Sequence, residues 1–386
     1  MTSFIQAHAG HADWRIALDR CWSRIRQQLE QCQQAKPTLG WCYLTDHYAQ
    51  AAGAILDALR ERAPETHWVG TVGIGVAAGS VEYIDEPAMV LMLGCLPTEN
   101  FRVFAGPQAL DAATPGCEAF TALVHANGAT EDLPRQLRQL SGRTTTGYLF
   151  GGLSSARNQT LHFADDILVG GLSGVAFSPE VPLLSRVTQG CRPIGPQRTI
   201  TRAEGNVLVS LDGKRALDCV LEDLDLPHDV ADEPLRRMLA ATLAGLIATD
   251  EDVPAQPGLF GTNTEVRHLI GVGRDSGVLV VADHVKPGMR LAFCQRNAEA
   301  AKHDLLRIVR EIRGACDAKQ RIDGALYISC SGRGGPHFGE PHAEFHLVNR
   351  ELGENVPLVG FFAGGEIARH HLYGYTGVLT VFTSPL

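Results

Sequence analysis

The sequence lacks the long apolar runs that a membrane-spanning helix requires. Its longest such runs, at 88–96 and 278–282, fall far short of the roughly 20 residues of a membrane span. Residues 1–15 also lack the basic and apolar regions of a signal peptide. These absences predict a cytoplasmic protein that does not bind membranes.

Runs of like charge are also absent. The chain has 34 basic and 43 acidic residues, interleaved, with a net charge of −9. No positive face for a phosphate backbone is therefore indicated, and nucleic acid is not an expected partner. The ten cysteines include no CxxC pair, which argues against a zinc knuckle and indicates free thiols in a reducing compartment.

Familiar enzyme signatures are missing as well. There is no Walker loop, and neither Ser173 nor Ser331 has the flanking residues of a GxSxG nucleophile elbow. The glycines of 271–277 have the wrong spacing for a dinucleotide fingerprint and lie between predicted strands. The sequence therefore does not predict an enzyme of a familiar class.

What the chain does contain is the composition of a globular α/β protein with mixed sheets. Of its 386 residues, 45% are hydrophobic and 20% charged, which is enough to build two domains. The acidic, proline-containing stretch 222–233 marks the predicted boundary, which gives domains at 1–225 and 226–386.

Periodicity predicts an internal duplication of an α-β-α-β-β unit. The first copy has helices at 14–32 and 49–62 and strands at 40–45, 68–73 and 88–94. The second has helices at 298–316 and 341–352 and strands at 324–330, 357–362 and 375–382. The alternative is that such units resemble one another without a duplication.

Antiparallel strands are predicted between the two copies. We expect strands at 147–153 and 167–178, a hairpin at 199–211, a helix at 231–249 and a three-strand meander at 268–272, 277–283 and 289–294.

A strand-helix-strand unit is a right-handed crossover with parallel strands, so both strand ends reach one edge of the sheet. Ligands tend to bind at that edge. In the second copy it carries residues that we predict to bind a ligand: Cys330, Ser331, Arg333, Gly334, His337, Phe338, Gly364, Gly365 and Glu366. Alternatively, the glycines only make turns, and Arg333 and Glu366 form an internal ion pair.

The same residues resemble a known family. The stretches CSGRG at 330–334, FG at 338–339 and VGFFAGGEI at 359–367 look like the signature of that family's C-terminal domain. The stretches TQGCRPIG at 188–195 and NVLVSLDG at 206–213 resemble the later part of its N-terminal domain. The family is FIST (F-box and intracellular signal transduction), and the similarity spans about 38–382. The chain lacks the kinase, chemoreceptor or cyclase segments of fused members, and the F-box of eukaryotic ones.

The resemblance implies a stand-alone sensor that binds a small molecule, such as an amino acid, and modulates a separate signalling partner. It also implies an alternative, a haem protein that responds to nitric oxide and acts on a histidine kinase. No motif such as CxxCH identifies a haem-binding histidine among the fifteen, so the cofactor stays unknown.

Two further sites are open alternatives. His342 and His346 have the i, i+4 spacing that can share a metal, although Ala343 stands where a zincin has glutamate. Cys330 ends a strand near Arg333, whose charge would lower the pKa of the thiol. That environment suggests a reactive nucleophile for an enzyme, whereas the alternative is an inert buried cysteine.

Overall fold

The computed structural model describes residues 4–32, 36–106, 110, 118–247, 264–316 and 320–386. The chain forms two compact units. Residues Met1–Thr188 and Leu305–Leu386 make the first, and Gln189–Asp304 make the second. The second unit is therefore inserted into the chain of the first, and the predicted boundary at 225/226 falls inside it.

The first unit contains three copies of one arrangement of strands and helices, which we call repeats. The first repeat consists of β1 (Phe4–Gly10), α1 (Trp14–Cys32), β2 (Leu39–Thr45), α2 (Ala52–Arg62), β3 (His67–Gly73), β4 (Gly75–Ala78), β5 (Val81–Ile84) and β6 (Ala88–Gly94). The second consists of β7 (Phe101–Ala105), β8 (Thr121–Asn127), α3 (Leu133–Ser141), β9 (Leu149–Ser154), β10 (His162–Ala164), β11 (Ile167–Leu168) and β12 (Leu172–Phe177).

The third repeat begins with β13 (Leu183–Gln189) and is then interrupted by the second unit. That unit contains β14 (Cys191–Pro193), β15 (Arg198–Glu204), β16 (Val207–Leu211), β17 (Lys214–Arg215), α4 (Ala216–Asp223), α5 (Asp232–Ala240), β18 (Thr242–Ile247), β19 (Glu265–Gly273), β20 (Val278–Val281) and β21 (Arg290–Arg296). The third repeat resumes with α6 (Ala298–Ala315), β22 (Gln320–Cys330), a short helix α7 (Gly335–Phe338), α8 (Ala343–Leu352), β23 (Leu358–Ala363), β24 (Glu366–Ala368), β25 (His371–Tyr373) and β26 (Thr376–Pro385).

Each repeat has a parallel strand pair at its centre. These pairs are β2 with β3, β8 with β9, and β22 with β23. The last strand of each repeat, β6, β12 or β26, pairs antiparallel with the first strand of that pair. On its other side it pairs with the leading strand β1, β7 or β13. The common order shows a threefold repeat of one supersecondary unit.

Each repeat also contributes a hairpin to the sheet of another repeat. The hairpin β4–β5 joins β23 of the third repeat, β10–β11 joins β3 of the first, and β24–β25 joins β9 of the second. Three six-stranded sheets result, and each is built from two repeats. The exchange is cyclic, so no repeat completes its sheet alone.

The three sheets share one apolar core. It contains Trp41 and Val69 of the first sheet, Phe150 of the second, and Leu326 and Phe361 of the third. Helices cover the opposite faces: α1 and α2 on the first sheet, and α3 on the second. Because the central strands are buried on both faces, their sequences are nearly continuous apolar runs.

The second unit is a closed antiparallel barrel. Its six strands pair in the cycle β21, β15, β16, β20, β19, β18 and back to β21. The interior is apolar, with Leu208, Leu279 and Phe293 among its buried residues. Closure leaves no free edge within this cycle of strands.

Several sequence predictions are confirmed. Helices at 14–32 and 298–315 and the parallel pairing in both predicted copies are present, and 199–211 forms the predicted hairpin. The duplication is part of a triplication, because the predicted strands at 147–153 and 167–178 belong to another copy.

Two predictions about the second unit are wrong. The predicted helix at 231–249 ends at Ala240, and a strand follows because Thr242–Ile247 is needed to close the barrel. Residues 248 and 249 lie outside the described residues. The predicted meander fails at its third strand, because β21 pairs with β18 and β15 rather than with β20.

Among the helices that the structure describes, none has the length and apolar character needed to cross a membrane.

Candidate functional site

The predicted site lies at the ends of β22 and β23 in the third repeat. Cys330 and Ala363, the last residues of these strands, are partners in the parallel register. Two segments leave this edge: residues 331–342, which include α7, and the tight turn 364–365 before β24. Topology therefore brings the two predicted loops together, as expected.

Arg333 points into the protein from the first of these segments. Its side chain is buried, and its Nε donates a hydrogen bond to Oε1 of Glu344, 2.8 Å away. The charge of Glu344 helps to raise the pKa of Arg333. The guanidinium group also lies 5.2 Å from the centre of the Phe338 ring. Arg333 therefore does form an internal ion pair, but its partner is Glu344 and not Glu366.

Glu344 is the centre of a buried hydrogen-bond network. Besides Arg333, it accepts hydrogen bonds from the Tyr327 hydroxyl at 2.6 Å, from Ser329 Oγ at 2.9 Å and from the Gly334 amide at 2.7 Å. A carboxylate with four donors is well compensated for its burial. Glu344 thereby fixes the loop that follows β22 against helix α8.

Sequence reasoning missed the role of Glu344. From the sequence, Glu344 is only the residue that lies between His342 and His346 on a predicted helix. A usable signal lies in the second part of β22, where Tyr327 and Ser329 place hydroxyl groups in the otherwise apolar stretch 324–330. Buried hydroxyls need partners, so the sequence predicts a hydrogen-bond acceptor beside this stretch, and the structure shows that it is Glu344.

Glu366 occupies a second buried position at the same edge. Its Oε2 accepts hydrogen bonds from the amide and the hydroxyl of Thr376, at 3.1 and 2.7 Å. Its Oε1 is buried and has no hydrogen-bond partner of ordinary geometry among the described residues. Burial raises the pKa of Glu366 to about 8, against the opposing effect of the Thr376 hydrogen bonds.

The surroundings of Cys330 raise the pKa of its thiol, whereas the reactive-nucleophile hypothesis needs a lowered pKa. Burial and the nearby Glu366 carboxylate raise the pKa of the Cys330 thiol to about 12. The charge of Arg333 does lower this pKa, but the effect is smaller than those of burial and of Glu366. The thiol is only 8% exposed, so this environment disfavours the thiolate needed for nucleophilic chemistry.

The raised pKa of Glu366 predicts a pH-dependent stability. The unfolded carboxyl ionises near its ordinary value of 4.5, whereas the folded one stays protonated up to about pH 8. Stability should therefore fall as pH rises through this window. We expect Glu366→Gln to unfold at higher urea concentration than the wild type at pH 8.5, with a gain of roughly 2–4 kcal/mol, and at a similar concentration at pH 4.5. Equal pH profiles for both proteins would contradict the assignment.

The other predicted ligand-binding residues are divided between surface and interior. Ser331 and Gly364 are exposed, His337 is half-buried, and Gly334, Gly365 and Phe338 are buried. The Phe338 ring packs on Arg333 and on the ring of His337. Of the six predicted ligand-binding residues other than glycine, four are therefore buried: Cys330, Arg333, Phe338 and Glu366.

A pocket of about 350 Å³ lies on the other side of the same loop. It is lined by Glu82, Ile84, Glu86, Gly335, Pro336, Gly339, Glu340, Pro341 and His342. Residues 335–342 belong to the third repeat, and residues 82–86 to the end of the β4–β5 hairpin of the first. Sequence reasoning found the loop but not the pocket, because the two sides are about 250 residues apart in the chain.

Glu82 connects the two sides of this pocket. Its carboxylate accepts hydrogen bonds from the amides of Gly335 at 2.7 Å and Phe345 at 3.0 Å, and burial raises its pKa. Its own amide donates to Nδ1 of His342 at 3.0 Å. His342 precedes α8 but forms no side-chain cap, so Glu82 caps this helix from a distance.

Comparison with known proteins identifies the family. The family model of the FIST N domain matches residues 38–214, and that of the FIST C domain matches residues 216–369. The chain belongs to the FIST family. FIST domains are associated with sensing in signal transduction, and the two matches include the second unit and most of the first. The junction of the matches lies within the barrel, between β17 and α4.

Similar proteins occur in mycobacteria. An uncharacterized protein of Mycobacterium bovis is 30% identical over 365 residues, which cover 89% of this chain and 88% of the relative. An uncharacterized protein of Mycobacterium tuberculosis is 28% identical over 376 residues, which cover 92% and 93%. The similarity therefore extends over nearly the whole length of each protein.

The pocket beside His342 is not suited to a haem group, and the predicted metal pair of His342 and His346 has no third ligand among the described residues. Among the described residues, no group of three or more His, Cys, Asp or Glu side chains is placed to hold a metal ion. His342 uses Nδ1 to accept the Glu82 amide, and His346 is exposed on α8. Haem needs an apolar slot, whereas the pocket beside His342 is lined by three carboxylates. The lining does not fit haem.

Proposed function

We propose that this FIST protein is an intracellular sensor. It binds a small metabolite and modulates a separate signalling partner, such as a histidine kinase. The observation that supports the proposal is the pocket beside the segment 331–342. Its volume of about 350 Å³ is within the range of small-ligand sites, roughly 300–1,000 Å³.

The pocket offers several polar groups to a ligand. Glu86 and Glu340 present carboxylates, which accept hydrogen bonds. Because Nδ1 of His342 accepts the Glu82 amide, the neutral ring carries its proton on Nε2, which can donate. A few polar groups within a concave surface are typical of ligand recognition.

The position of the pocket suggests how binding is transmitted. Its walls belong to the hairpin β4–β5 and to the segment before α8, which Glu82 holds together. A ligand that contacts both walls changes the free energy of separating them. A ligand can shift a conformational equilibrium only through such a difference in affinity between states, and a change in this hairpin is the signal we propose the partner detects.

A thermal-shift screen of metabolites tests the proposal. A ligand at 100 times its Kd adds about 2.7 kcal/mol of stability, which raises Tm by several degrees. Pro336→Trp should abolish the response, because the indole occupies the pocket that Pro336 lines. Pro336→Ala removes the same proline without adding bulk and should retain it. An equal response in both variants would place the binding site elsewhere.

The signalling role requires a separate measurement. Autophosphorylation of a candidate histidine kinase should change when this protein is added together with its ligand. The Pro336→Trp variant should lose the ligand dependence but not the folded structure. A kinase rate that is the same with the wild type and with this variant, at saturating ligand, would argue against the proposed output.

A further inference from the structure

The charge of the pocket is one-sided. Its lining contains the carboxyl groups of Glu82, Glu86 and Glu340, and it contains no lysine or arginine. Asp85, which lies between the lining residues Ile84 and Glu86, is bonded to Arg157, and Arg157 is bonded to Asp46 as well, so two carboxylates balance the charge of this arginine. A positively charged group in the pocket would therefore be attracted, and a negatively charged one repelled.

Two of the three carboxylates are available to a ligand. Both oxygens of Glu82 already accept backbone amides. Glu86 and Glu340 are exposed, and neither forms an ion pair with a residue in the described part of the chain. These two side chains can each accept hydrogen bonds from an ammonium or guanidinium group, and such charge-assisted hydrogen bonds are among the stronger ones in proteins.

The rest of the lining is apolar. Ile84, Pro336 and Pro341 present carbon surface beside the carboxylates. Such a combination suits a molecule with a cationic end and a short hydrocarbon chain. A carboxylate on the same molecule would lie close to Glu86 or Glu340 and weaken binding.

We propose that the pocket takes a cationic amine, that is, a primary amine or a guanidinium group on a short carbon chain without a carboxylate. This inference rests on the proposed sensor function and specifies its ligand class. Within that class, diamines and guanidinoalkylamines match the lining. A free amino acid is a weaker ligand, because its carboxylate faces like charges.

Isothermal titration calorimetry of the full chain with putrescine and agmatine tests the ligand class. We expect both to bind, and glutamate and succinate not to bind. Glu86→Gln and Glu340→Gln should each weaken amine binding about tenfold, because each replaces a negatively charged acceptor by a neutral one and so leaves a weaker hydrogen bond to the ammonium group. Glu354→Gln, at an exposed position outside the pocket lining, is the matched control and should leave the affinity unchanged.

The outcomes separate the ligand class from the sensor function. If an acidic or neutral metabolite binds and Pro336→Trp abolishes its binding, the amine class is wrong and the pocket remains the sensor site. If amines bind equally well to the wild type and to the Glu86→Gln, Glu340→Gln double variant, the amine site lies elsewhere and the proposal fails. If no metabolite of any class binds, the sensor function fails with it.

Discussion

Alanine at Gly360 is expected to prevent the first unit from folding. Gly360 lies in β23 opposite Tyr327 of β22, and a Cβ atom built on it would stand 1.7 Å from the Tyr327 carbonyl oxygen. That oxygen belongs to the backbone of a central strand and cannot move away without breaking the sheet. A contact this short exceeds what a packed core accommodates by small shifts, so we expect insoluble protein or loss of the cooperative unfolding transition.

The threefold repeat supplies an internal test of this prediction. Gly70 and Gly151 hold the same position in the other two repeats, opposite Cys42 and Val124. A Cβ at either would stand 1.9 Å from the opposing carbonyl oxygen. Alanine at each should therefore be as damaging as at Gly360. Soluble expression, far-ultraviolet circular dichroism and urea unfolding measure the effect.

Two helical glycines are the controls. A Cβ at Gly53 in α2 or at Gly314 in α6 meets nothing within 4 Å. Alanine there should stabilise the protein by up to about 1 kcal/mol, because alanine is the better helix former. If Gly360→Ala unfolds at the same urea concentration as these controls, the close approach of β22 and β23 is not as described.

Removal of the Glu344 carboxylate should have the second largest effect. Glu344→Ala leaves the guanidinium of Arg333 buried without its acid, and it removes the acceptor for Tyr327, Ser329 and the Gly334 amide. Breaking a buried ion pair from one side costs about 3–5 kcal/mol. We expect a loss of this size in the free energy of urea unfolding.

A double substitution separates the lost charge balance from lost packing. Arg333→Met in the Glu344→Ala background removes the uncompensated cation and should restore part of the stability. Such recovery follows from the high cost of an unpaired buried charge compared with an apolar side chain. A double variant as unstable as the sum of the two single ones would show that Arg333 and Glu344 contribute independently, which contradicts the pairing.

The sequence predicted the positions of helices and strands better than it predicted which strands pair with one another. Apolar periodicity located α1 and the buried strands β6 and β22 to within a few residues, because helices and buried strands leave a pattern along the chain. Parallel pairing followed from short strand-helix-strand units. Periodicity does not name a strand's neighbour, however, so closure of the barrel by β18 and β21 was not predicted. The second repeat was missed because its helix α3 is short, at nine residues.

The candidate site shows the same limit. Sequence reasoning brought Cys330, Arg333 and Glu366 to one edge, since strand ends follow from topology. It could not predict that Arg333 turns inward to Glu344, because the direction of a side chain depends on packing around it. Nor could it predict the pocket, whose two walls come from different repeats. The pKa of Cys330 is raised because burial has a larger effect than the charge of the nearby Arg333.

The cyclic exchange of hairpins has a consequence for folding during synthesis. Strand β4 is made early, but its partner β23 follows some 280 residues later, after the inserted barrel. Until then its edge is open, and open edges invite pairing with other chains. Contacts this distant in sequence form slowly. The nascent first and second repeats therefore wait for the end of the chain, and a ribosome-bound or truncated product is the form most prone to aggregate or to recruit a chaperone.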